Sequence, residues 1–412
     1  MLLIYNILIT SFVPFLKLLS LFDHKLRLGV RGRENWREQI KKIPKNKEIY
    51  WFHCASLGEF DQALPVMNLL KLKKPNLLIV VTFFSPSGFE HYKKRKNQVD
   101  FALYLPFDSR RNAKQFIELL NPKLGIFVKY EFWPNLLNEA QRIGIPIISI
   151  STTLRPNQVH FKWYGSLFRN TLKSVRYFFV QNTETSNLLN KLGLENHEIV
   201  GDTRFDRVIE NKVLFEYNQS RSKEFQSIEV FLKGKKAIIF GSSWKPEEEI
   251  LFDFLQKNEI EKIILAPHDT SDSNIQRIES KFGVKAIRLS GFENNFKNQQ
   301  VLILDTIGHL ASAYSFGKVA FVGGGFSGSL HNILEPAVFG LPVIFGPKHS
   351  KFPEADAFLQ AGIGFEVKNA EEFGQKLSKI ERNLDKLTSQ TVEYVSQHNG
   401  ASRKIIDSSF FD

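Results

Sequence analysis

From Glu48 onward the chain repeats one pattern, a short continuous run of apolar and β-branched residues followed by a longer stretch with helical spacing. The runs are "EIYWFHCA", "NLLIVVTFF", "FALYLPF", "LGIFVKY", "IPIISIS" and "YFFVQN". A second series reads "KAIIFGSS", "KIILAPH", "VKAIRLS", "QVLILD", "KVAFVGGG" and "PVIFGP". Apolar runs without alternation suit strands buried on both faces, as in parallel sheets covered by crossover helices. The expected class is therefore α/β, built from βαβ units. The two series are separated by "FDRVIENKVLFEYNQSRSKEFQSIEVFLKGKK", which is charged and poor in strand pattern. That places a domain boundary near 205–235, between two Rossmann-like domains in tandem with a cleft between them. In such sheets ligands sit beyond the carboxyl ends of the strands.

The first 22 residues, "MLLIYNILITSFVPFLKLLSLF", are about as long as a membrane-spanning helix needs to be, although they include Pro14 and Lys17. They lack the basic start and small-residue cleavage site of a secretory signal. Lys25, Arg27, Arg31, Arg33, Arg37, Lys41, Lys42, Lys45 and Lys47 follow, against only Glu34 and Glu38 in the same stretch. Positive charge beside an apolar segment marks the cytoplasmic side and attracts anionic headgroups. The expectation is a membrane anchor over 1–22, spanning or lying in the interface; the other reading is a buried N-terminal helix. A formal net charge of +12 points to an anionic partner: nucleic acid, an acidic membrane face or a phosphorylated substrate. Nothing resembles a nucleic-acid-reading module, so no nucleic-acid partner is expected. Cys54, the single cysteine, excludes a disulfide framework and reads as a small buried hydrophobe.

Three strand-to-helix turns carry candidate chemistry. In "HCASLGEF" a strand ends at a glycine and a helix starts with Glu59. A carboxylate there can serve as a general base beside a cleft, or it can simply stabilise the positive end of the helix. In "VAFVGGGFSGSLHNILEPAVFG" a strand runs into Gly323, Gly324 and Gly325, and a helix is expected from His331 or Asn332 to Gly340. Free N–H groups at its start suit a phosphate, while Asn332 and Glu335 at capping-box spacing could do no more than cap. "GSSWKPEEE" offers Ser242 and Ser243 at a helix entry, and "APHD" places Pro267 and His268 at another strand end. No Asp-x-Asp, phosphate-loop or zinc spacing occurs, so neither a metal nor a cofactor is expected.

Taken together, "HCASLGE", "YLPFD", "EFWPNLL", "GDTRFD", "GSSWKPEEE" and "GGGFSGSLHNILEPA" resemble the 3-deoxy-D-manno-octulosonic acid (Kdo) transferase family. The resemblance implies a GT-B fold and inverting, metal-free transfer of Kdo from CMP-Kdo to a phosphorylated lipid A precursor (lipid IVA). It also implies attachment to the cytoplasmic face of the inner membrane. The implied domains are 23–205 for the acceptor and 206–385 for the donor, with 386–412 packing back on the first. Glu59 would be the general base. Ser242, Ser243, Pro267, His268, Gly324, Gly325, Asn332 and Glu335 would bind the donor, with Glu335 on the ribose. Arg155, Lys129, His53 and Ser56 are candidates for the acceptor or the Kdo carboxylate. The chain departs from the family at "STTLRPNQ", at Lys129 where a Glu is common, at Trp244 where a His is common, and at the shortened Pro267–His268 element. Two other readings stand beside this one: a GT-B enzyme using a UDP-sugar (a transferase or a 2-epimerase), and a non-catalytic protein that binds anionic lipid.

Overall fold

The computed structural model describes residues 1–218, 222–258, 262–291 and 299–412. The chain divides into two compact units, one of residues 1–207 with 398–412, the other of 208–397. The helix Thr203–Asn218 contains the division. The expected interdomain stretch is partly outside the described residues, at 219–221.

The first unit holds β1 (Ile49–Cys54), β2 (Leu78–Phe83), β3 (Phe101–Tyr104), β4 (Leu124–Val128), β5 (Ile147–Thr152), β6 (Tyr177–Val180) and β7 (His197–Ile199). Their order is β3-β2-β1-β4-β5-β6-β7, and every pairing is parallel. β1, β2, β4 and β5 are buried at every residue, as their unbroken apolar runs require. One face of the sheet packs Trp51, Phe116 and Phe127 into one core. The other packs Tyr50, Phe52 and Phe60 into a second, which includes Ile405, Ile406 and Phe411 from the end of the chain.

The second unit repeats the design with β8 (Ala237–Ser243), β9 (Ile263–Pro267), β10 (Ala286–Arg288), β11 (Val301–Ile303), β12 (Gly317–Val322), β13 (Val343–Phe345) and β14 (Gly364–Glu366). The order is β10-β11-β9-β8-β12-β13-β14, again all parallel. Each sheet reverses its winding once, between β1 and β4 in the first and between β8 and β12 in the second. Such switch points open a crevice at the carboxyl ends of the strands. β7 and β14, absent from the predicted strands, are three-residue edge strands with little apolar sequence of their own.

The segment expected to return from residue 386 is shorter in the structure. The helix Leu384–Gln397 groups with the second unit, and only 398–412 join the first. Asp206 holds them there, its carboxylate accepting the N–H groups of Gly400 and Ser402, both at 2.6 Å. Arg33 does not face outward with the rest of the basic stretch. It is buried and donates to the carbonyls of Gly29, Phe84 and Leu105, and burial lowers its pKa to about 10.

Candidate active site

In the first unit, Glu59 follows β1 and Lys129 follows β4, so the two flank the switch point. Ser56 caps the helix Leu57–Lys73, its hydroxyl accepting the Glu59 N–H at 3.4 Å. Glu59 Oε2 answers by accepting the N–H groups of Ala55 and of Ser56, the latter at 3.2 Å. Ser56 and Glu59 thus form a reciprocal cap that the sequence reading did not single out, and it engages the Ser56 hydroxyl, which sequence alone offered to an acceptor. Oε1 accepts no hydrogen bond among the described residues. Glu59 is 7% exposed. Burial pushes its pKa up to about 7, and the neighbouring Glu131 pushes the same way. Lys129 and the two N–H bonds pull against them. A carboxyl group fixed by one oxygen, with the other unbonded and a pKa near neutrality, has the form of a general base.

Around it, Lys129 and Ser151 hold positive φ (66° and 50°) at the ends of β4 and β5. Strain of this kind in non-glycine residues concentrates at functional sites. Glu131, two residues past Lys129, is itself held above the usual carboxylate range by burial. The charges of Glu59 and Arg155 both act on Tyr130, so Arg155, though exposed, falls within the same electrostatic cluster. Asp202 is paired with Arg204 at 2.7 Å and lies within the field of Lys129.

His53 is built in differently from the expectation. It is fully buried in β1, accepts the Trp133 indole N–H at Nε2 (3.1 Å) and meets the Thr82 hydroxyl at Nδ1 (3.0 Å). Burial drives its pKa down to about 3, so it is neutral and cannot pair with an anion. Its contact is with the segment that carries Glu131, through Trp133, which stacks on Phe84 at 4.9 Å.

In the second unit the predicted donor residues gather at the ends of β8, β9 and β12. Trp244 stacks on His268 with centroids 4.4 Å apart, and His331 meets His268 at 4.6 Å with the rings tilted by 35°. The His268 N–H donates to the Ser243 carbonyl at 2.9 Å, beside the Ser243–Pro267 pairing of β8 and β9. Ser242 takes φ 51° at this turn. Several expectations change in detail. The Ser243 hydroxyl turns inward to Glu248 (3.3 Å), and Glu248 is paired with Arg277. Glu247 accepts the N–H groups of Trp244 (3.0 Å) and Gly324 (2.9 Å). The Gly324 N–H is thus engaged, and the positive end of the helix Lys245–Lys257 is occupied by the chain's own carboxylates. The helix after the glycine loop is a single turn, Leu334–Ala337. Asn332 bonds the Leu334 N–H at 3.1 Å and the Glu335 carboxylate at 3.3 Å, in place of a capping box. The glycines answer to packing: a Cβ on Gly323 would meet the Ser242 carbonyl oxygen at 2.1 Å, and one on Gly325 the Gly346 nitrogen at 2.5 Å.

Glu131, Glu247 and the His53–Trp133 bond had no sequence signal of their own. Glu131 and Trp133 lie inside the quoted "EFWPNLL" and Glu247 inside "GSSWKPEEE", but a motif does not say which of its carboxylates is buried. Among the described residues no group of three or more His, Cys, Asp or Glu is placed to hold a metal ion.

Residues 34–207 match the family model described as 3-Deoxy-D-manno-octulosonic-acid transferase (kdotransferase). A 3-deoxy-D-manno-octulosonic acid transferase of Aquifex aeolicus is 31% identical over 351 residues, covering 84% of this chain and 88% of that protein. A bifunctional glycosyltransferase/methyltransferase of Fusobacterium nucleatum is 27% identical over 393 residues, and there the chain spans 59% of the relative's length. Among solved structures, a UDP-GlcNAc 2-epimerase of Neisseria meningitidis superposes with a TM-score of 0.64 at 15% identity, over 88% of this chain and 98% of its own, a likeness of fold. With two parallel seven-stranded sheets of the GT-B kind and a relative this similar along most of both chains, the protein belongs to the 3-deoxy-D-manno-octulosonic acid transferase family of glycosyltransferases.

Proposed function

We propose that this transferase moves Kdo from CMP-Kdo to a phosphorylated lipid A precursor with inversion, using Glu59 as general base. The observation that carries the reading is the Glu59 carboxyl group, fixed through Oε2 and lifted to a pKa of about 7. In the proposed step Glu59 takes the proton of the acceptor sugar hydroxyl as that oxygen attacks the anomeric carbon of Kdo. The bond from that carbon to the CMP phosphate breaks, and CMP leaves as the monoester anion. One displacement inverts the centre without a covalent intermediate. The acceptor belongs to the first unit, where Lys129 and Arg155 supply positive charge for the Kdo carboxylate or the lipid phosphates. The donor belongs to the second, where Asn332, Glu335, Ser242 and the Trp244–His268–His331 ring cluster supply polar and aromatic contacts. The apolar helix Leu2–Leu19 and the basic residues after it would hold the enzyme on an anionic membrane, at the cytoplasmic face of the inner membrane.

The test is transfer from CMP-Kdo to tetraacylated lipid A precursor, with products read by mass. Mass gain from the folded wild-type protein supports the reading and counts the sugars added. Absence of product with CMP-Kdo, together with turnover of a UDP-sugar, would replace it.

A further inference from the structure

The helix Leu2–Leu19 has the length and hydropathy to cross a membrane. At about 1.5 Å per residue it would extend about 27 Å, close to the hydrocarbon thickness of a bilayer. Length therefore does not decide between spanning and lying flat; its attachments do. Tyr5, Asn6, Ile9, Val13 and Leu16, continued by Ser20, form one stripe that is partly or fully covered, while the remaining residues of the helix are exposed. Their spacing of three and four residues is that of a single helical face. A spanning helix has lipid around its middle and the globular part beyond one end. This helix is partly covered along one side, from Tyr5 to Leu16, with no residue fully buried.

Both ends are fastened to the first unit. Near the start, the Tyr5 hydroxyl donates to Asp108 Oδ2 at 2.8 Å, and the Asn6 side-chain oxygen accepts from Asn135 Nδ2 at 2.8 Å. Near the end, the Arg27 guanidinium donates to the carbonyls of Ser20 (3.1 Å) and Leu21 (2.5 Å). Asp108, from the "YLPFD" motif, is 2% exposed. Its carboxylate also accepts the N–H groups of Asn135 and Leu136, both at 3.0 Å, and so caps the helix Pro134–Arg142. That helix begins directly after Glu131–Trp133. One buried carboxylate thus ties the apolar N-terminal helix to the segment beside Glu59.

We propose that the N-terminal helix is an in-plane leaflet anchor, clamped to the protein through Tyr5 and Asn6, and that only its outer face enters the lipid. Leu3, Ile4, Leu8, Phe12, Phe15 and Leu18 form that face; all are exposed, and all are apolar. Lys17, Lys25 and Arg31, exposed beside it, suit an anionic surface. The proposal rests on the membrane-association reading above and specifies its geometry.

The test uses the full chain in a Cys54→Ala background with single cysteines, Leu3→Cys, Leu8→Cys, Phe15→Cys and Leu18→Cys, each carrying an environment-sensitive fluorophore. The protein is bound to vesicles containing anionic phospholipid, and depth is read with quenchers at the headgroup and at the bilayer centre. The expected result is one common shallow depth, about 5–10 Å into the headgroup–acyl boundary. A profile with Leu8→Cys at the bilayer centre and the end positions at opposite faces would overturn the proposal. In a Tyr5→Phe/Asn6→Leu variant, which keeps the apolar surface, the Leu3→Cys probe is expected to change depth while Leu18→Cys holds; no change at Leu3→Cys would remove the clamp. Failure of the unlabelled protein to float with the vesicles would instead sink the membrane-association reading, and the anchor with it.

Discussion

Glu59→Gln tests the proposed base with little structural disturbance, because the glutamine side-chain oxygen can still accept the Ala55 and Ser56 N–H groups that Oε2 now accepts. The amide cannot take a proton, so kcat is expected to fall about 10²–10⁴-fold. The wild-type pH profile carries the sharper number. The base works only when ionised, and a pKa of about 7 leaves about a tenth of it ionised at pH 6 and about nine tenths at pH 8. kcat/KM should therefore rise roughly tenfold over that interval and flatten above it. Glu131 raises the Glu59 pKa through its charge, so Glu131→Gln should move the rising limb to lower pH. The stability sign is opposite to the activity sign. A carboxyl group with a raised folded-state pKa favours folding most when protonated, and that contribution is lost as pH climbs from the unfolded value of about 4.5 through 7. Glu59→Gln should accordingly gain stability relative to wild type as pH rises from 5 to 8, by up to about 3 kcal/mol for a shift of this size. The assay is initial-rate transfer from CMP-Kdo between pH 5.5 and 8.5, with urea unfolding at pH 5 and pH 8. A pH-independent wild-type rate, or a Glu59→Gln enzyme as fast as wild type, would refute the argument.

Three further perturbations test the supporting structure. His53 is held neutral by burial, with its pKa at about 3, so stability should fall as pH drops below about 6.5, where the unfolded chain takes up the proton; His53→Ala, which strands the Trp133 indole N–H, should cost about 1–3 kcal/mol in urea unfolding at pH 7.5 and flatten that acid dependence. Gly325→Ala places a methyl 2.5 Å from the Gly346 nitrogen and should destabilise the protein by roughly 3 kcal/mol, read as a lowered melting temperature, whereas an unchanged midpoint would show that the loop yields freely. Asp206→Ala removes the acceptor for the Gly400 and Ser402 N–H groups and should open a protease site near Gly400, seen by mass spectrometry as loss of the last residues before any other cut.

The α/β class and most of the strands were legible because a strand buried on both faces must be apolar throughout, and "LIVVTF" or "AIIF" admits little else; the half-buried β10 and β3 were found by their apolar runs alone. β7 and β14 were not, since a three-residue edge strand such as "HEI" takes its conformation from its neighbour. That Glu59 lies in the first turn of a helix after β1 was legible, but its reciprocal cap with Ser56 was not singled out. The extent of the helix after Asn332 was not legible: Asn332 bonds the Leu334 N–H and the Glu335 side chain, and the helix is the single turn Leu334–Ala337, ending before Gly340. The inward turn of Ser243 and the burial of Glu247 depend on Arg277 and Gly324, far away in sequence. His53 read as a polar candidate because a sequence cannot show that both ring nitrogens are already met.

The return of residues 398–412 to the first unit bears on how the protein is made. Ile405, Ile406 and Phe411 belong to the core beneath β1 and β2, so that core lacks three apolar side chains until residues 405–411 have been made. Residues 208–397 are all available earlier. At about 5–20 residues per second, that core waits roughly ten seconds or more after Arg207 for its closing pieces, and Gln397, the end of the later unit, precedes Phe411 by about one to three seconds. In this chain the order of synthesis and the order of completion are reversed.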